Sequence, residues 1–411
     1  MFVMTASQFR EMFPFFGSRD IVYFDNAATS QRPESVVEYT TEASVRHNAN
    51  IHRAVHALSA EATDAYEAGR EAVRSFIGAA SREEIIFTAG ATSALNTVAY
   101  SFGEKYVHEG DEIIVGISEH HSNFVPWQLL AGRKGAKVVY LDITAQGGYD
   151  PKALESLITS RTRIVCVGHA SNVLGILNPV EELAAVCHAH GVPIVVDGAQ
   201  AVVHRRVDVQ KLDCDFYAFS AHKTFGPVGV GVLYGKKSLL EEMPPFLSGG
   251  EMVGTVSTEG TDFAPLPAKF EAGTPNFTGV AAMVPALELS ALALSDKELN
   301  AALDDVAQYM TEALERIDAL KLYGGPSCGS APSADRLPIF SFTIEGVHHE
   351  DLAILLDKMG IAVRSGQMCA EPLMTRLGVT GTVRASLLQY NTMEEAEKFI
   401  KCLEKAVRML K

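Results

Sequence analysis

The chain reads as an α/β protein, a mostly parallel doubly wound sheet with a smaller α+β lobe. Three observations carry this. Between residues 84 and 235 short apolar runs recur (EIIFT, EIIVG, KVVYLD, RIVCVG, PIVVD, CDFYAFS, GVGVLYG). They are rich in Val and Ile and lack polar alternation, as strands covered on both faces of a parallel sheet do. Helical stretches separate most of them, which is the rhythm of a doubly wound fold. With 411 residues, 47% hydrophobic and 21% charged, the chain can also bury a core large enough to divide into lobes.

Taken in order, residues 1–20 form an N-terminal helical arm expected to pack on the small lobe. Phe9, Met12, Phe13 and Phe16 fall at helical spacing there, predicting a short helix over 5–16. Residues 21–280 form the large α/β domain. It opens with a short strand at 21–24 and a turn at 25–28. Residues 33–77 read as helical, interrupted by the polar segment 47–56 with His52, Arg53 and His56. Helices are expected at 91–107, 122–134, 151–159 and 180–190, each following a strand. The Pro/Gly-rich stretch 243–276 is too long for a simple connection, and such loops serve function or reach a neighbouring subunit. Residues 281–411 form the small lobe: helical to about 319, a strand at LPIFSFTIEG, a helix at 349–358, strands at IAVRSG and VRASLLQYN, and a closing helix from Met393.

Charge and composition exclude several classes. The 35 basic against 50 acidic side chains give a net charge of −15, unsuited to a nucleic-acid partner, whose phosphates need a positive face. The sequence reads as having no apolar run of the ~18 residues a membrane helix needs. Its start, MFVMTASQFREMF, lacks the basic and long apolar regions of a signal peptide, so a cytoplasmic location without a membrane partner is expected. Six cysteines lie scattered with no CxxC pair, which suggests neither a disulfide framework nor a zinc ribbon. Cys187, His188 and His190 close a predicted helix, where imidazoles are ordinary; no metal site is expected.

The functional signal lies at the strand ends, where ligands of doubly wound sheets bind. Lys223 follows the strand ending at Phe219 and Ser220, with His222 beside it and a glycine-rich turn behind. A lysine so placed can be kept partly neutral and attack an aldehyde. The other strand ends carry Thr92 in a small-residue turn opening a helix, His120, Asn172, and Asp197 with Gln200. Each meets one demand of pyridoxal 5′-phosphate chemistry. The helix start at Thr92 offers N–H groups and a dipole to a phosphate, and Ser220 and His222 can add donors. Asp197 can pair with the pyridine nitrogen, Gln200 can donate to the ring oxygen, and His120 can stack on the ring. Singly these are weak, since Asp197 alone fits a helix cap or an ion pair equally well.

Over nearly its full length the chain resembles the class V aminotransferase-like family, with the type I pyridoxal phosphate-dependent transferase fold, and within it the group II cysteine desulfurases, which also act as selenocysteine lyases. The residues that carry this are IHRAVHALS (51–59), EHHSNFVPW (119–127), ASNVLGILNP (170–179), VVDGAQAV (195–202), DCDFYAFSAHKTFGPVGVGVLYG (213–235), FEAGTPN (270–276), RSGQMCAEPLM (364–374) and VRASLLQYNT (383–392). The resemblance implies Lys223 as the Schiff-base lysine, His120 on the ring, Asp197 on its nitrogen and Gln200 on its oxygen. It implies Thr92, Ser220 and His222 at the phosphate, with Thr274 reaching in from the other subunit of a homodimer. Asn172 and Arg384 would orient the substrate, L-cysteine, and Cys369 would accept its sulfur as a persulfide. A thiol-bearing acceptor protein of iron–sulfur cluster assembly would then take the sulfur. One departure stands out: Gln367 and Met368 occupy positions where relatives commonly carry histidines, and neither can shuttle a proton near neutral pH. The rival readings are a selenocysteine lyase, an aminotransferase or kynureninase-like enzyme, and a scaffold that has lost catalysis. Cys369 discriminates the thiol-free reactions, and retention of Lys223, Asp197, His120 and Arg384 speaks against the scaffold.

Overall fold

A computed structural model describes residues 4–52, 55–324 and 336–411; Arg53 and Cys328 lie outside these. After a two-residue strand β1 (Val22–Tyr23), the large sheet is built from β2 (Ile85–Thr88), β3 (Glu112–Gly116), β4 (Lys137–Leu141), β5 (Thr162–Gly168), β6 (Ile194–Asp197), β7 (Phe216–Ser220) and β8 (Gly231–Gly235). Their order is β2-β8-β7-β6-β5-β3-β4, with β8 antiparallel to both neighbours and every other pair parallel.

Strand alternation sends successive side chains to opposite faces, and both faces are apolar. In β5, Val165 and Val167 join one buried cluster and Ile164 and Cys166 another. In β7, Tyr217 and Phe219 split from Phe216 and Ala218 in the same way. Helices Ala91–Tyr106 and Val125–Lys134 cover the second face with Leu95, Val98, Phe102, Trp127 and Leu130. This double cover is why the centres of the runs are apolar. Because β4 lies outside β3 while β5 lies inside it, the winding reverses between β3 and β5. The carboxyl ends of β3, β5, β6 and β7 therefore open along one edge, beside that switch point, where such sheets form a ligand crevice.

Within the 243–276 stretch an exposed antiparallel hairpin forms from β9 (Val253–Val256) and β10 (Thr261–Phe263), with Val256 64% and Phe263 47% exposed. The end of the stretch is fixed by Glu271, whose two carboxylate oxygens accept from Nη1 and Nη2 of Arg70, each at 2.8 Å. Tyr66 and the Phe87 N–H also donate to Glu271. Arg70 is buried in helix Ala57–Phe76, and removing one partner of such a buried pair costs about 3–5 kcal/mol.

The C-terminal lobe holds an antiparallel sheet of β11 (Leu320–Tyr323), β12 (Ile339–Ile344), β14 (Arg364–Gly366) and β15 (Thr382–Ser386), while β13 (Ile361–Ala362) pairs in parallel with β1. Residues 22–24, placed by the sequence at the head of the large domain, pack here instead. The pairing with β13 draws Val22 and Phe24 into the cluster of Phe340, Phe342 and Phe399. The arm forms two helices, Ala6–Glu11 and Pro14–Ser18, in place of the single helix expected, because Pro14 starts a new turn and has no N–H to continue the old one. Phe9 and Phe13 pack on Phe225 of the large domain, and Phe13 also meets Tyr390; Arg10 donates to the Tyr390 carbonyl and Glu395. The arm therefore bridges both lobes. A second correction concerns Phe277–Ser295, which by length and composition alone is apolar enough to cross a membrane. Met283, Ala286, Leu287, Leu289 and Ala293 spend that apolarity in the protein core.

Candidate active site

Ten of the eleven residues singled out by sequence line one cavity of about 220 Å³ at the carboxyl edge of the large sheet. Thr92, His120, Asn172 and Asp197 come from the first strand ends, Gln200, Ser220, His222 and Lys223 from the last two, and Cys369 and Arg384 from the C-terminal lobe. The eleventh, Thr274, is exposed on the surface outside it.

One corner is built for an anion. Helix Ala91–Tyr106 begins there with no acidic side chain in its first turn, so its free N–H groups and dipole face the cavity unopposed. The Ala91 N–H donates to Ser220 Oγ at 2.8 Å, and Thr92 Oγ1 meets Ser122 Oγ at 2.6 Å. Strand β8 runs so close beneath this turn that a Cβ on Gly231 would lie 2.3 Å from the Gly90 Cα. Glycine there lets the sheet carry the helix start to the cavity. Burial first, then Lys223, holds His222 down to a pKa of about 4, leaving it a neutral donor or acceptor. Hydroxyls, helix N–H groups and a neutral imidazole are the donor set that a phosphate dianion requires.

Lys223 stands in the centre, in a turn of 3₁₀ helix (Ala221–Lys223) directly after β7. Its side chain keeps some exposure at the cavity mouth, but the amine is enclosed by protein. Burial pulls its pKa down to about 8, Asp197 opposes this, and Arg384 and Arg364 reinforce it. Asp197 closes β6, with Oδ1 accepting from the Ala199 N–H at 3.0 Å. Burial raises its pKa, while that N–H and Lys223 hold it down. His120 Nδ1 accepts from the Ser122 N–H, so the neutral ring carries its proton on Nε2. Burial, then Lys223, keeps it neutral with a pKa near 3. Gln200 gives one amide hydrogen to the Ala27 carbonyl and has a second to give. An aldehyde-reactive amine, a buried carboxylate, a flat neutral imidazole and an anion corner in one cavity fit pyridoxal 5′-phosphate.

The opposite wall is basic. Arg384 is 2% exposed; its Nη1 donates to the Asn172 carbonyl at 2.9 Å and its Nη2 to Asp25 Oδ1 at 3.1 Å. Its Nε is buried and has no hydrogen-bond partner among the described residues. A side-on grip on a carboxylate uses Nε and the adjacent Nη; Nε is unengaged and each Nη keeps a second N–H to give. Asp25, read from the sequence as a turn residue, shares the same guanidinium and lies 4.0 Å from Arg364 Nη1. Glu119 is a second residue to which the sequence reading gave no role. Fully buried, it accepts from Asn123 Nδ2, Tyr149 Oη and the Gly168 N–H, and burial lifts its pKa to about 8. It ties the turn after β3, which carries His120, to the end of β5. Its place between a strand end and a histidine was the signal available.

Cys369 follows β14 on a short loop. Both Met368 (φ 55°) and Cys369 (φ 54°) are left-handed, a conformation that costs a non-glycine residue about 1–2 kcal/mol. The Asn172 side-chain amide donates to the Met368 carbonyl at 2.8 Å, so Asn172 holds Arg384 with one end and the cysteine loop with the other. Cys369 is partly exposed and lines the cavity. Cys166, Cys187 and Cys214 are buried in apolar packing, which pushes their thiol pKa values up, that of Cys187 to about 12. Cys402 lies on the closing helix Met393–Leu410.

A family described as aminotransferase class-V matches residues 22–399 of the chain. A probable cysteine desulfurase of Vibrio cholerae serotype O1 is 45% identical over 404 residues, 98% of both chains. The cysteine desulfurase of Pectobacterium carotovorum subsp. carotovorum is 44% identical over 391 residues, 95% of this chain and 94% of that one. Among solved structures, the cysteine desulfurase CsdA of Escherichia coli, crystallised with an S-sulfonic acid, superposes with a TM-score of 0.91 at 40% identity, covering 99% of this chain and 100% of that one. The apo cysteine desulfurase of Thermococcus onnurineus NA1 reaches the same TM-score at 36% identity, covering 100% and 99%.

Proposed function

The chain belongs to the aminotransferase class-V family, and from that premise we infer that it is a cysteine desulfurase, taking L-cysteine to L-alanine with the sulfur held on Cys369 as a persulfide. The observation that carries this is one cavity lined by both an amine of lowered pKa, Lys223, and a cysteine thiol, Cys369. A transamination or a kynureninase-like reaction has no need of the thiol.

The geometry supports a role for each lining residue. The start of helix Ala91–Tyr106, with Thr92, Ser220 and His222, would hold the cofactor's phosphate. Asp197, Gln200 and His120 would hold its ring, and Lys223 would be its point of attachment. Pyridoxal 5′-phosphate supplies an electron sink for the charge left when the substrate's α-proton departs. Arg384 binds the substrate carboxylate through Nε, and Lys223, close to half-neutral near pH 8, takes and returns protons at Nζ. The Cys369 thiolate Sγ attacks the substrate sulfur, forming the S–S bond as the substrate Cβ–S bond breaks. The electron pair stays with Cβ, which gains a proton to become the methyl group of alanine.

The enzyme acts as a homodimer in the cytoplasm and passes its sulfur to a thiol-bearing acceptor protein of iron–sulfur cluster assembly. Dimerisation is supported by the exposed apolar hairpin of Val256 and Phe263; a second copy would bring Thr274, exposed outside the cavity, to the phosphate corner. The five free cysteines among the described residues suit a reducing compartment. The test is alanine and sulfide release from L-cysteine, with and without acceptor thiols. Alanine without sulfur on the protein or in solution would defeat the reading.

A further inference from the structure

The loop that carries the nucleophile is held in a conformation it would not keep alone. Two successive non-glycine residues, Met368 and Cys369, both lie in the left-handed region, which such residues visit singly and which persists when the surroundings over-determine it. Three hydrogen bonds and one apolar contact do so. The carbonyls of both strained residues are gripped: Asn172 Nδ2 donates to that of Met368 and the His121 N–H to that of Cys369, each at 2.8 Å. The Ala370 N–H closes the loop onto the Gln367 carbonyl at 2.9 Å. The fourth contact is apolar. Met368 is 4% exposed and belongs to the main buried cluster together with Ala370, Leu373 and Met374, while Gln367 is exposed and Cys369 partly so. The loop is thus pinned on both sides of the thiol, and both residues border the cavity, Met368 buried in the apolar cluster and Cys369 partly exposed.

We propose that Met368 is a positioning residue for sulfur transfer: its buried side chain anchors the strained loop and aims Cys369 Sγ into the cavity that Lys223 and Arg384 line. The methionine suits the task, because a long, flexible apolar side chain fills an irregular gap where a short one leaves a void and a polar one an unpaired atom. Position 368 therefore works mechanically here, and the thiol needs no proton carrier from its neighbour to be aimed. Asn172 ties this anchor to the substrate grip, since its carbonyl holds Arg384 Nη1. The proposal rests on Cys369 being the sulfur acceptor.

The test compares Met368→Ala, which empties the anchor, with Met368→Leu, which refills it. In single turnover with L-cysteine, Met368→Ala should keep the cofactor absorbance and the half-saturation of the spectral change on substrate binding. Persulfide should form on Cys369 slower by on the order of 10- to 100-fold, the scale of a misplaced reacting group. In the cofactor-free protein, iodoacetamide should alkylate Cys369 several-fold faster in Met368→Ala, since the freed loop exposes the thiol. Met368→Leu should return both rates to within about twofold of the parent. If Met368→Ala does not fold, Met368→Gln, which keeps the chain length and loses the apolar contact, carries the same expectations. Parental persulfide and alkylation rates in the emptied variant overturn the proposal, as does a rise in half-saturation equal to the loss in rate, which would make Met368 a wall of the substrate site. Absence of sulfur on Cys369 in the parent itself would instead defeat the proposed function.

Discussion

Lys223 should capture the cofactor with a pH dependence displaced well below that of an ordinary lysine. With its pKa pulled down to about 8, about one tenth of the amine is neutral at pH 7. An ordinary lysine near 10.4 has about 0.04% neutral, roughly 200-fold less. Mixing cofactor-free protein with subsaturating pyridoxal 5′-phosphate and following visible absorbance should show the rate rising about tenfold per pH unit up to pH 8, then levelling. A rise continuing unbroken past pH 10 would show an ordinary amine and refute the argument. Asp197→Asn removes the charge that holds protons on Lys223, so the break should move to lower pH even though the cofactor binds more weakly. The stability consequence has a definite sign. A lysine whose folded pKa is lowered opposes folding while charged, so the cofactor-free protein carries the full penalty below about pH 8 and loses it as pH approaches 10.4.

Thr274→Ala should leave each subunit folded but loosen the cofactor by about one hydrogen bond to a charged group, about 1.5–3 kcal/mol, measured by dialysis against dilute cofactor. Light scattering should find a dimer in the same samples, and a monomer with cofactor fully bound would contradict the role of the loop. Glu271→Ala leaves the buried Arg70 guanidinium with only Glu67 and the Ile85 carbonyl as partners and should destabilise by up to about 3–5 kcal/mol in denaturant titrations, with cofactor loss tracking the disturbed 271–276 segment; a change below 1 kcal/mol would show that the pair is not the anchor of that loop.

What the sequence made legible was the part governed by local pattern. Seven apolar runs became seven strands because all but the edge strand β4 are buried on both faces, and the strand-end rule then collected Thr92, His120, Asn172, Asp197, Gln200, Ser220, His222 and Lys223 into one cavity. Features set by distant packing were not legible. Asp25 looks like a turn residue until β15 places Arg384 beside it. Met368 reads as a departure from a histidine until the fold buries it and turns two residues left-handed. Phe277–Ser295 is interrupted by Glu288 and Ser290 and so does not read as a continuous apolar run, although its length and composition are those of a membrane-crossing helix. The short strand β1 was found but assigned to the wrong lobe, because pairing with β13 is a contact across more than three hundred residues. Pro14, which splits the arm, is a local signal for two helices in place of one.

The central claim is that substrate sulfur moves to Cys369, and one mass measurement tests it. After a single turnover with L-cysteine, rapid acid quenching and peptide mapping should find one additional sulfur on the peptide containing Cys369, with one alanine released per subunit. Cys369→Ser should retain the yellow cofactor and its spectral response to L-cysteine, yet show no added sulfur and almost no alanine. Additional sulfur on Cys166, Cys187, Cys214 or Cys402, or parental alanine release by Cys369→Ser, would contradict the account.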